Sequence, residues 1–327
     1  MRSWRHWLND QRGTLIAAGL FTVMFVLYVS NHPAGFTPNV VQTAANKGVL
    51  LALVAIAQTF VVLTAGIDLS VGMVLVMASC LASHVVAGSA VMTALGVVAV
   101  LASGALAGAL NGVIVIFGRL QPIVTTIATG AFFFGIALIL RPVPGASPEF
   151  NQDLSDAMLT RVFNVPVSLL VLVGLILFVW IPFRRSVIGR ALYAVGSSEV
   201  AAYMTGMPVK RAKLLAYVMS GLFASIGGLY LTFFTYSGGA SLPNGNTYTL
   251  YSIAAVVLGG VSLFGGRGSA IGAIFGALAF RAIGDLLFVF DLDPLLQPLF
   301  QGVVLMIAVS IGSARLFQVR NRLEFFS

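Results

Sequence analysis

The chain has 327 residues, of which 59% are hydrophobic and only 9% are charged, and its mean hydropathy is +1.00. This composition has too little polar material to coat a soluble globule, so we predict an integral membrane protein. The net charge of +8 does not indicate nucleic-acid binding, because the basic residues stand between apolar runs rather than beside stacking aromatics. The single cysteine, Cys80, excludes an intrachain disulfide.

Apolar runs that could each cross a bilayer, which takes about 20 helical residues, can be placed ten times along the chain. The predicted spans are 14–30, 48–65, 71–86, 90–117, 123–140, 167–183, 214–236, 251–263, 270–290 and 295–311. The first run follows basic residues, as in a signal peptide, but it lacks a clear cleavage site and is expected to stay as an anchor. We therefore predict one all-α membrane domain over residues 1–327.

Positive charge orients these spans. With the N-terminus in the cytoplasm, 14 of the 18 Lys and Arg residues fall in cytoplasmic segments and only Lys47, Arg141 and Arg161 fall outside, while Arg281 lies within a span. Because Lys and Arg accumulate on the cytoplasmic side of membrane proteins, this orientation is strongly favoured. It places both termini in the cytoplasm and divides the spans into five before and five after the longest outside loop, 141–166.

Residues 184–213 form the one sizeable polar interruption of the second half. A short helix is predicted over 198–205, because Ser197 or Ser198 can cap it, Glu199 suits the positive end of its dipole and Gly206 supplies a stop. Six basic residues flank it: Arg184, Arg185, Arg190, Lys210, Arg211 and Lys213. The segment is either an ordinary basic connecting loop or a docking helix for a cytoplasmic motor.

The motif TAGIDLSVG, residues 64–72, carries a carboxylate into apolar surroundings. Asp68 is costly at membrane depth unless it is paired, solvated or caps a helix, and Ser70 and the glycines suit a broken helix with free backbone groups. Two interpretations stay open. The motif is either a discontinuous helix lining a permeation path or a tight turn between two spans with Asp68 as an N-cap.

Other polar residues lie inside the predicted spans. Arg281 and Asp285 are four residues apart on one helix face, so they are expected to pair, either along a pathway or as an ion pair that holds two helices. Gln58, Asn111 and Thr125 could contact the hydroxyls of a passing solute or could join helices by hydrogen bonds. Together with Asp68 and Ser70, these residues are the candidates for a translocation path.

Glycine recurs at four-residue spacing in two rows, each downstream of a glycine-bounded break. The rows are Gly104, Gly108 and Gly112, and Gly268, Gly272 and Gly276. Faces without side chains let helices approach closely. The pairing of a break with a row in each half is compatible with two five-helix halves, or with the general glycine richness of membrane helices.

Several catalytic and binding motifs are absent from the sequence. There is no GxxxxGK[ST] phosphate loop, no HExxH zinc motif and no GxSxG nucleophile elbow, so neither ATP hydrolysis, a metal site nor an intramembrane enzyme is predicted. Asp285 is the one clear carboxylate within a span, which is few for an ion-coupled transporter.

Four segments, in this order, closely resemble permease subunits of ribose-type ABC sugar importers. They are TAGIDLSVG, IVTTIATGAFFFGIALIL, GRALYAVGSSEVAAYMTGMPVKRAKLLAYVMSGLFASIGGL and SIAAVVLGGVSLFGGRGSAIGAIFGAL, and the resemblance covers about residues 48–311. It implies a multi-pass permease of the bacterial inner membrane that works with a second permease, two ATP-binding subunits and a periplasmic sugar-binding protein. ATP would be bound by those partners, and this chain would hold no cofactor.

The same resemblance assigns an ATPase-coupling role to part of the polar segment. The residues that match, with the capping serine, are Gly196, Ser198, Glu199, Ala201, Ala202 and Gly206. In place of the family's Gly-Asn before the glutamate the chain has Ser197 and Ser198, which keeps the capping ability.

A second departure concerns the eighth predicted span. In place of the family's Glu-Leu-Asp the chain has Thr249, Leu250 and Tyr251, so the family's acidic contact to the binding protein, expected near the outer end of this span, is in doubt. The expected function is therefore that of an importer permease for a monosaccharide or a similar small solute. The rivals are a secondary transporter driven by ions through Asp68 or Asp285, and a membrane scaffold without transport.

Overall fold

The computed structural model describes residues 4–307 and residue 310, with side chains from residue 11 onwards. The regular secondary structure of the described part is helical apart from one short hairpin. The helices are α1 (Trp4–Asn31), α2 (Pro38–Val62), α3 (Val71–Val85), α4 (Ala90–Phe117), α5 (Pro122–Leu140), α6 (Gln152–Leu159), α7 (Val167–Arg185, with a π-helical turn at Ile176–Trp180), α8 (Val187–Ser197), α9 (Glu199–Met204), α10 (Val209–Thr235), α11 (Leu242–Leu258), α12 (Ala270–Val289) and α13 (Pro294–Ile307, with a 3-10 first turn at Pro294–Leu296).

Each of the ten predicted spans overlaps one of these helices. Seven helices are long and apolar enough to cross a membrane, namely α1 from Gln11, α2, α4, α5, α7, α10 and α12. The helices α3 and α13 are apolar but shorter, and α11 has 17 residues with a polar first half. The tenth predicted span ends at position 311, which lies outside the described residues. Four of the charges that orient the spans also lie outside them, namely Arg2, Arg315, Arg320 and Arg322.

Apart from α1, two helices begin about ten residues before the predicted spans, because each starts at a capping residue that a proline follows within two positions. Thr37 caps α2 and Pro38 occupies its first position, while Ser241 caps α11 and a proline follows. The earlier start of α2 places Lys47 inside this helix. The prediction that Lys47 belongs to an outside segment was therefore wrong.

The centre of the fold is formed by α2 and α3. Most of their residues are buried, and α10, α12 and α11 pack around them. By contrast, α1, α4, α5 and α7 keep large apolar side chains on the outside, such as Ile139 and Phe178, which are 85% and 82% exposed. An apolar exterior of this kind suits a bilayer rather than water.

The two glycine rows bring helices into backbone contact, as predicted. A Cβ atom on Gly108 would lie 2.1 Å from the carbonyl oxygen of Tyr217, so α4 and α10 touch without intervening side chains. A Cβ atom on Gly276 would lie 2.1 Å from the carbonyl oxygen of Ala255, so the backbones of α11 and α12 are also in direct contact.

The loop 141–166 is partly ordered into α6 and an antiparallel hairpin of β1 (Arg161–Val162) and β2 (Val165–Pro166). It packs over the ends of α3 and α4, where the backbone N–H of Gly88 donates to the carbonyl of Glu149 at 2.9 Å. The Tyr236 hydroxyl donates to Asp156 of α6, and this hydrogen bond raises the pKa of the Tyr236 hydroxyl. The loop therefore closes one end of the helix bundle.

Candidate functional site

The polar interruption of the second half folds into α8 and α9. Ser198 is the N-cap of α9, and its Oγ accepts a hydrogen bond from the N–H of Ala201 at 3.3 Å. At the other end Gly206 takes a positive φ of 76°, and the N–H of Met207 donates to the carbonyl of Ala202 at 3.0 Å. This is a Schellman ending, for which glycine is favoured because it has no Cβ. The predicted short helix, with Ser198 at its start and Gly206 as its stop, is confirmed.

The outer surface of α9 is apolar although it lies outside the candidate spans. Val200, Tyr203 and Met204, which share one helix face by their spacing, are 65%, 76% and 80% exposed, whereas Ala202 turns inward and is buried. Glu199 forms an ion pair with Lys213 of α10, with Nζ and Oε2 2.5 Å apart. The helix is thus held to the bundle by one face and offers the other for contact.

The end of α8 touches two other segments through backbone atoms alone. A Cβ atom on Gly196 would lie 2.0 Å from the carbonyl oxygen of Leu63, at the end of α2, and 2.4 Å from the nitrogen of Gly266, which belongs to the turn between α11 and α12. The N–H of Gly266 also donates to the Leu63 carbonyl at 3.0 Å. We call Gly196, Leu63, Gly265 and Gly266 the glycine junction.

A hydrogen bond from α8 supports this contact. The hydroxyl of Tyr193 donates to the carbonyl of Gly268 at 2.9 Å, and burial raises the pKa of this hydroxyl, so it stays protonated as a donor. Through the glycine junction, α8 therefore meets both the break after α2 and the turn after α11.

Above α9 lies a cavity of about 310 Å³, lined among others by Thr64, Gly66, Glu199, Lys213 and Tyr217. The hydroxyl of Tyr217 is buried and has no hydrogen-bond partner among the residues that the structure describes. The cavity separates α9 from the break that carries Asp68.

Asp68 is the centre of a buried polar network. Its Oδ1 accepts hydrogen bonds from the N–H and the Oγ of Ser70 at 2.9 and 2.6 Å, and its Oδ2 accepts one from Ser220 Oγ at 3.0 Å. Asn111 Nδ2 donates to Ser70 Oγ at 2.8 Å. The amide of Gln58, in the orientation that satisfies both of its polar atoms, donates to the carbonyl of Asp68 at 2.9 Å and accepts from its N–H at 3.2 Å.

The network bears on the two interpretations of residues 64–72, a discontinuous helix or a tight turn that Asp68 caps. The N-cap of α3 is Ser70 and not Asp68, which instead holds Ser70 in place. The segment between α2 and α3 lacks helical structure and is largely buried, so it is a break inside the protein rather than a turn exposed at a surface. Five of the predicted path residues meet here or nearby, but Gln58, Asp68, Ser70, Asn111 and Thr125 are all buried within this chain.

Arg281 and Asp285 do not pair as predicted. Asp285 Oδ1 instead accepts from Lys47 Nζ of α2 at 3.3 Å, so the ion pair joins α2 to α12. Arg281 and Asp285 both line a cavity of about 240 Å³ with aromatic and aliphatic side chains of α1, α2 and α7. Both lie away from Asp68, so the seven predicted path residues form two groups rather than one.

Three residues that join helices through polar contacts were not predicted to do so. The ion pair of Lys47 was not predicted because the predicted span begins after Lys47, whereas the Thr37-Pro38 signal indicates that α2 begins at Pro38. Ser220 has no distinguishing signal in the sequence. Thr249 was expected near the outer end of a span, but it is buried in the middle of α11, where its Oγ1 accepts from the N–H of Gly72 at 3.1 Å.

Among the residues that the structure describes, no group of three or more His, Cys, Asp and Glu side chains could hold a metal ion. The polar groups that the fold brings together form hydrogen bonds and ion pairs that join helices. Their role in this structure is to hold helices in position.

The family model of the branched-chain amino acid transport system / permease component matches residues 40–309. The chain is 32% identical to the ribose import permease protein RbsC of Bacillus subtilis over 294 residues, 89% of each chain. It is 32% identical to RbsC of Escherichia coli K12 over 313 residues, 94% of this chain and 95% of the relative. It is 29% identical to the D-allose transport system permease protein AlsC of the same strain, over 92% of this chain and 91% of the relative. No solved structure matches it.

Proposed function

This chain belongs to the family of branched-chain amino acid transport system permease components, and from that membership we propose that it is the membrane subunit of an ATP-binding-cassette importer. Its cargo is a monosaccharide or a similar small polar solute, as the names of its ribose and D-allose relatives suggest. The chain lies in the bacterial inner membrane as a multi-pass protein. ATP is bound and hydrolysed by separate subunits, and this chain holds no cofactor of its own.

The observation that carries the proposal is the exposed apolar face of α9. Val200, Tyr203 and Met204 would be costly in water, and a compact apolar patch surrounded by polar residues marks a protein contact site. Six flanking basic residues support a cytoplasmic position for this face, where an ATP-binding subunit would meet it. The residues Gly196, Ser198, Glu199, Ala201, Ala202 and Gly206 shape and hold this contact.

The proposed assembly follows from this arrangement. The chain is a single permease domain of ten spans with both termini in the cytoplasm, with 184–213 as the coupling segment and 141–166 facing the periplasm. It pairs with a second permease, identical or not, and a periplasmic binding protein delivers the solute. The low-burial faces of α4, α5 and α7 leave area for lipid and for this second permease.

The test is co-purification from the native host in mild detergent, comparing the tagged wild type with Met204→Glu. Met204 is 80% exposed, so the new charge alters the contact face and not the fold. We expect an ATP-hydrolysing subunit to co-purify with the wild type, and its amount to fall at least about tenfold with the variant. The reason is that a charge facing an apolar groove is left unpaired on binding.

Phe163→Glu is the matched control, since Phe163 is 96% exposed at the tip of the hairpin on the opposite side. It should leave co-purification unchanged. If no ATPase accompanies the wild type, or if uptake of D-ribose and D-allose survives an ATPase-dead partner and fails with an uncoupler, the importer proposal is wrong and an ion-driven transporter replaces it.

A further inference from the structure

The first half of α11 is polar at a depth where the bilayer is apolar. Gly245 touches the start of α3, since a Cβ atom on Gly72 would lie 1.9 Å from the Gly245 carbonyl oxygen. From Gly72 to the end of α3 at Val85, the helix rises about 20 Å. From Gly245 to the end of α11 at Leu258 is again about 20 Å. Gly245 therefore lies near the middle of a membrane whose full thickness is about 40–45 Å.

The chain reaches this depth without a helix. Residues 236–241 connect the outer end of α10 to α11, and they are held to the outer part of the bundle by the backbone pair of Gly238 with Gly145 and by the Ala240 N–H, which donates to the Arg141 carbonyl at 2.9 Å. Gly238 already lies against Ser79 of α3, seven helical residues or about 10 Å from Gly72, and two extended residues with the first turn of α11 cover the rest. The helix α11 is thus a half-span that begins at the midplane, the arrangement in which transporters place solute sites.

Two amide side chains flank Gly245. Asn244 and Asn246 are both exposed, and neither side chain makes a hydrogen bond with any described residue. Gly245, Thr249 and Ser252 form the buried line of α11, and at 100° per residue the two asparagines lie about 100° to either side of Gly245. They therefore border the exposed side of α11, which also carries Leu242 and Leu250.

Free amides in hydrocarbon are costly, so lipid does not suit this face. The groups that would suit it are water and the hydroxyls of a solute, because an amide offers donors and an acceptor. Asn244, Asn246 and the neighbouring Thr247 carry no charge. An amino acid has two ionised groups, and a site that binds it would be expected to offer an opposite charge to each of them, so these residues suit a neutral solute better.

We propose that Asn244 and Asn246 form a contact site for the transported solute on a water-filled face between this permease and its partner, and that the solute is neutral and hydroxylated. This inference rests on the proposed function, and it shifts the path away from Asp68. The candidates Gln58, Asp68, Ser70 and Asn111 then support the bundle rather than touch the solute.

The chain offers a clean experiment because Cys80 is its single cysteine and is buried. In a Cys80→Ala background, Asn244→Cys and Asn246→Cys are compared with Leu106→Cys. Leu106 lies near the middle of α4 and is 70% exposed, so it is the matched lipid-facing control. The complete importer, with its ATPase and binding protein, is treated with a small charged methanethiosulfonate reagent.

Such a reagent needs a thiolate in contact with water. We expect modification at position 246 to be at least about tenfold faster than at position 106, and to slow several-fold when D-ribose or D-allose, whichever the wild type takes up, is supplied. No modification at 244 and 246 would mean that these residues are sealed in a protein interface, and modification without protection would mean a wet face that the solute does not touch. Either result overturns the inference.

A second variant guards against effects of the cysteines on folding. Asn246→Leu should lower sugar uptake about tenfold or more, while Asn246→Gln retains part of it, because one lost hydrogen bond to the solute corresponds to about that factor. Co-purification of the ATPase should be unchanged in both. Loss of the ATPase from the wild type would instead refute the proposed function, so the two failures are distinguishable.

Discussion

At the scale of single residues, Asp68 is a support for the fold. Its carboxylate accepts hydrogen bonds from two groups of Ser70 and from Ser220, and it is 2% exposed. A buried carboxylate is tolerated when hydrogen bonds replace its hydration, and here they tie the break after α2 to α10. Asp68 therefore holds a non-helical segment in place inside the bundle.

Replacing Asp68 by leucine should destabilise the protein strongly. The donors on Ser70 and Ser220 would lose their acceptor, and each buried donor left unpaired costs about 1–3 kcal/mol. We expect a lower Tm of the purified protein for Asp68→Leu and a smaller decrease for Asp68→Asn, which keeps one acceptor oxygen. Thermal unfolding in detergent measures both.

Asp153→Leu serves as the comparison, since Asp153 is exposed on α6 and its loss should leave Tm nearly unchanged. If the Asp68 variants keep the wild-type Tm but lose solute uptake, Asp68 acts on the solute and the supporting role is wrong.

At the scale of elements, the glycine junction connects α8, and through it α9, to the interior. Gly196 lies against Leu63 and Gly266 with no side chain between them, and Gly265, with a φ of +80°, lies against Ala65. Backbone contacts of this kind leave no flexible side chain to absorb a displacement. A movement of α9 and α8 is therefore passed to the break that carries Asp68 and to the turn after α11.

Gly196→Ala should impair this transmission. The added methyl would lie 2.0 Å from the Leu63 carbonyl oxygen, so α8 must move away from α2. We expect the ATPase to co-purify as with the wild type, because α9 is still presented, while sugar taken up per ATP hydrolysed falls about tenfold or more, as ångström-scale misplacement does elsewhere. Uptake and ATP hydrolysis are measured on the same proteoliposomes.

Gly174→Ala controls for the substitution itself, since a Cβ atom there meets nothing within 4 Å. An unchanged ratio of uptake to hydrolysis in Gly196→Ala, with normal assembly, would show that the junction does not carry the coupling.

At the scale of the whole molecule, the fold is a helix bundle with an apolar exterior and two differently built ends. One end carries α6 and the β1–β2 hairpin, and the other carries α8, α9 and most of the basic residues that the structure describes. The charge bias predicts that the second end faces the cytoplasm.

This orientation can be measured in right-side-out spheroplasts with an impermeant maleimide. In the Cys80→Ala background, Phe163→Cys should be labelled from outside, because Phe163 is exposed at the hairpin tip. Tyr203→Cys, on α9, should be labelled only after permeabilisation. The reverse pattern would invert the topology and remove the cytoplasmic docking face.

Local signals were sufficient for several features. Apolar runs located the seven long apolar helices and the three shorter ones, α3, α11 and α13. Ser198 with Gly206 delimited α9, because capping depends on neighbours a few residues away. The glycine rows indicated close helix contacts, since the absence of a side chain can be read directly from the residue type. Family motifs identified the class of permease.

The sequence by itself thus determined that this protein is a membrane helix bundle, where the short helix α9 lies and to which family the chain belongs. Only the tertiary structure decided which polar groups meet: Asp285 with Lys47 rather than Arg281, Asp68 with Ser220, and Thr249 with Gly72. These partners are separated by more than 150 residues, and no local pattern encodes which distant helices pack together. The physical reason is that capping and hydropathy act within a few residues, whereas buried polar groups take the partner that the packed bundle brings within hydrogen-bonding distance.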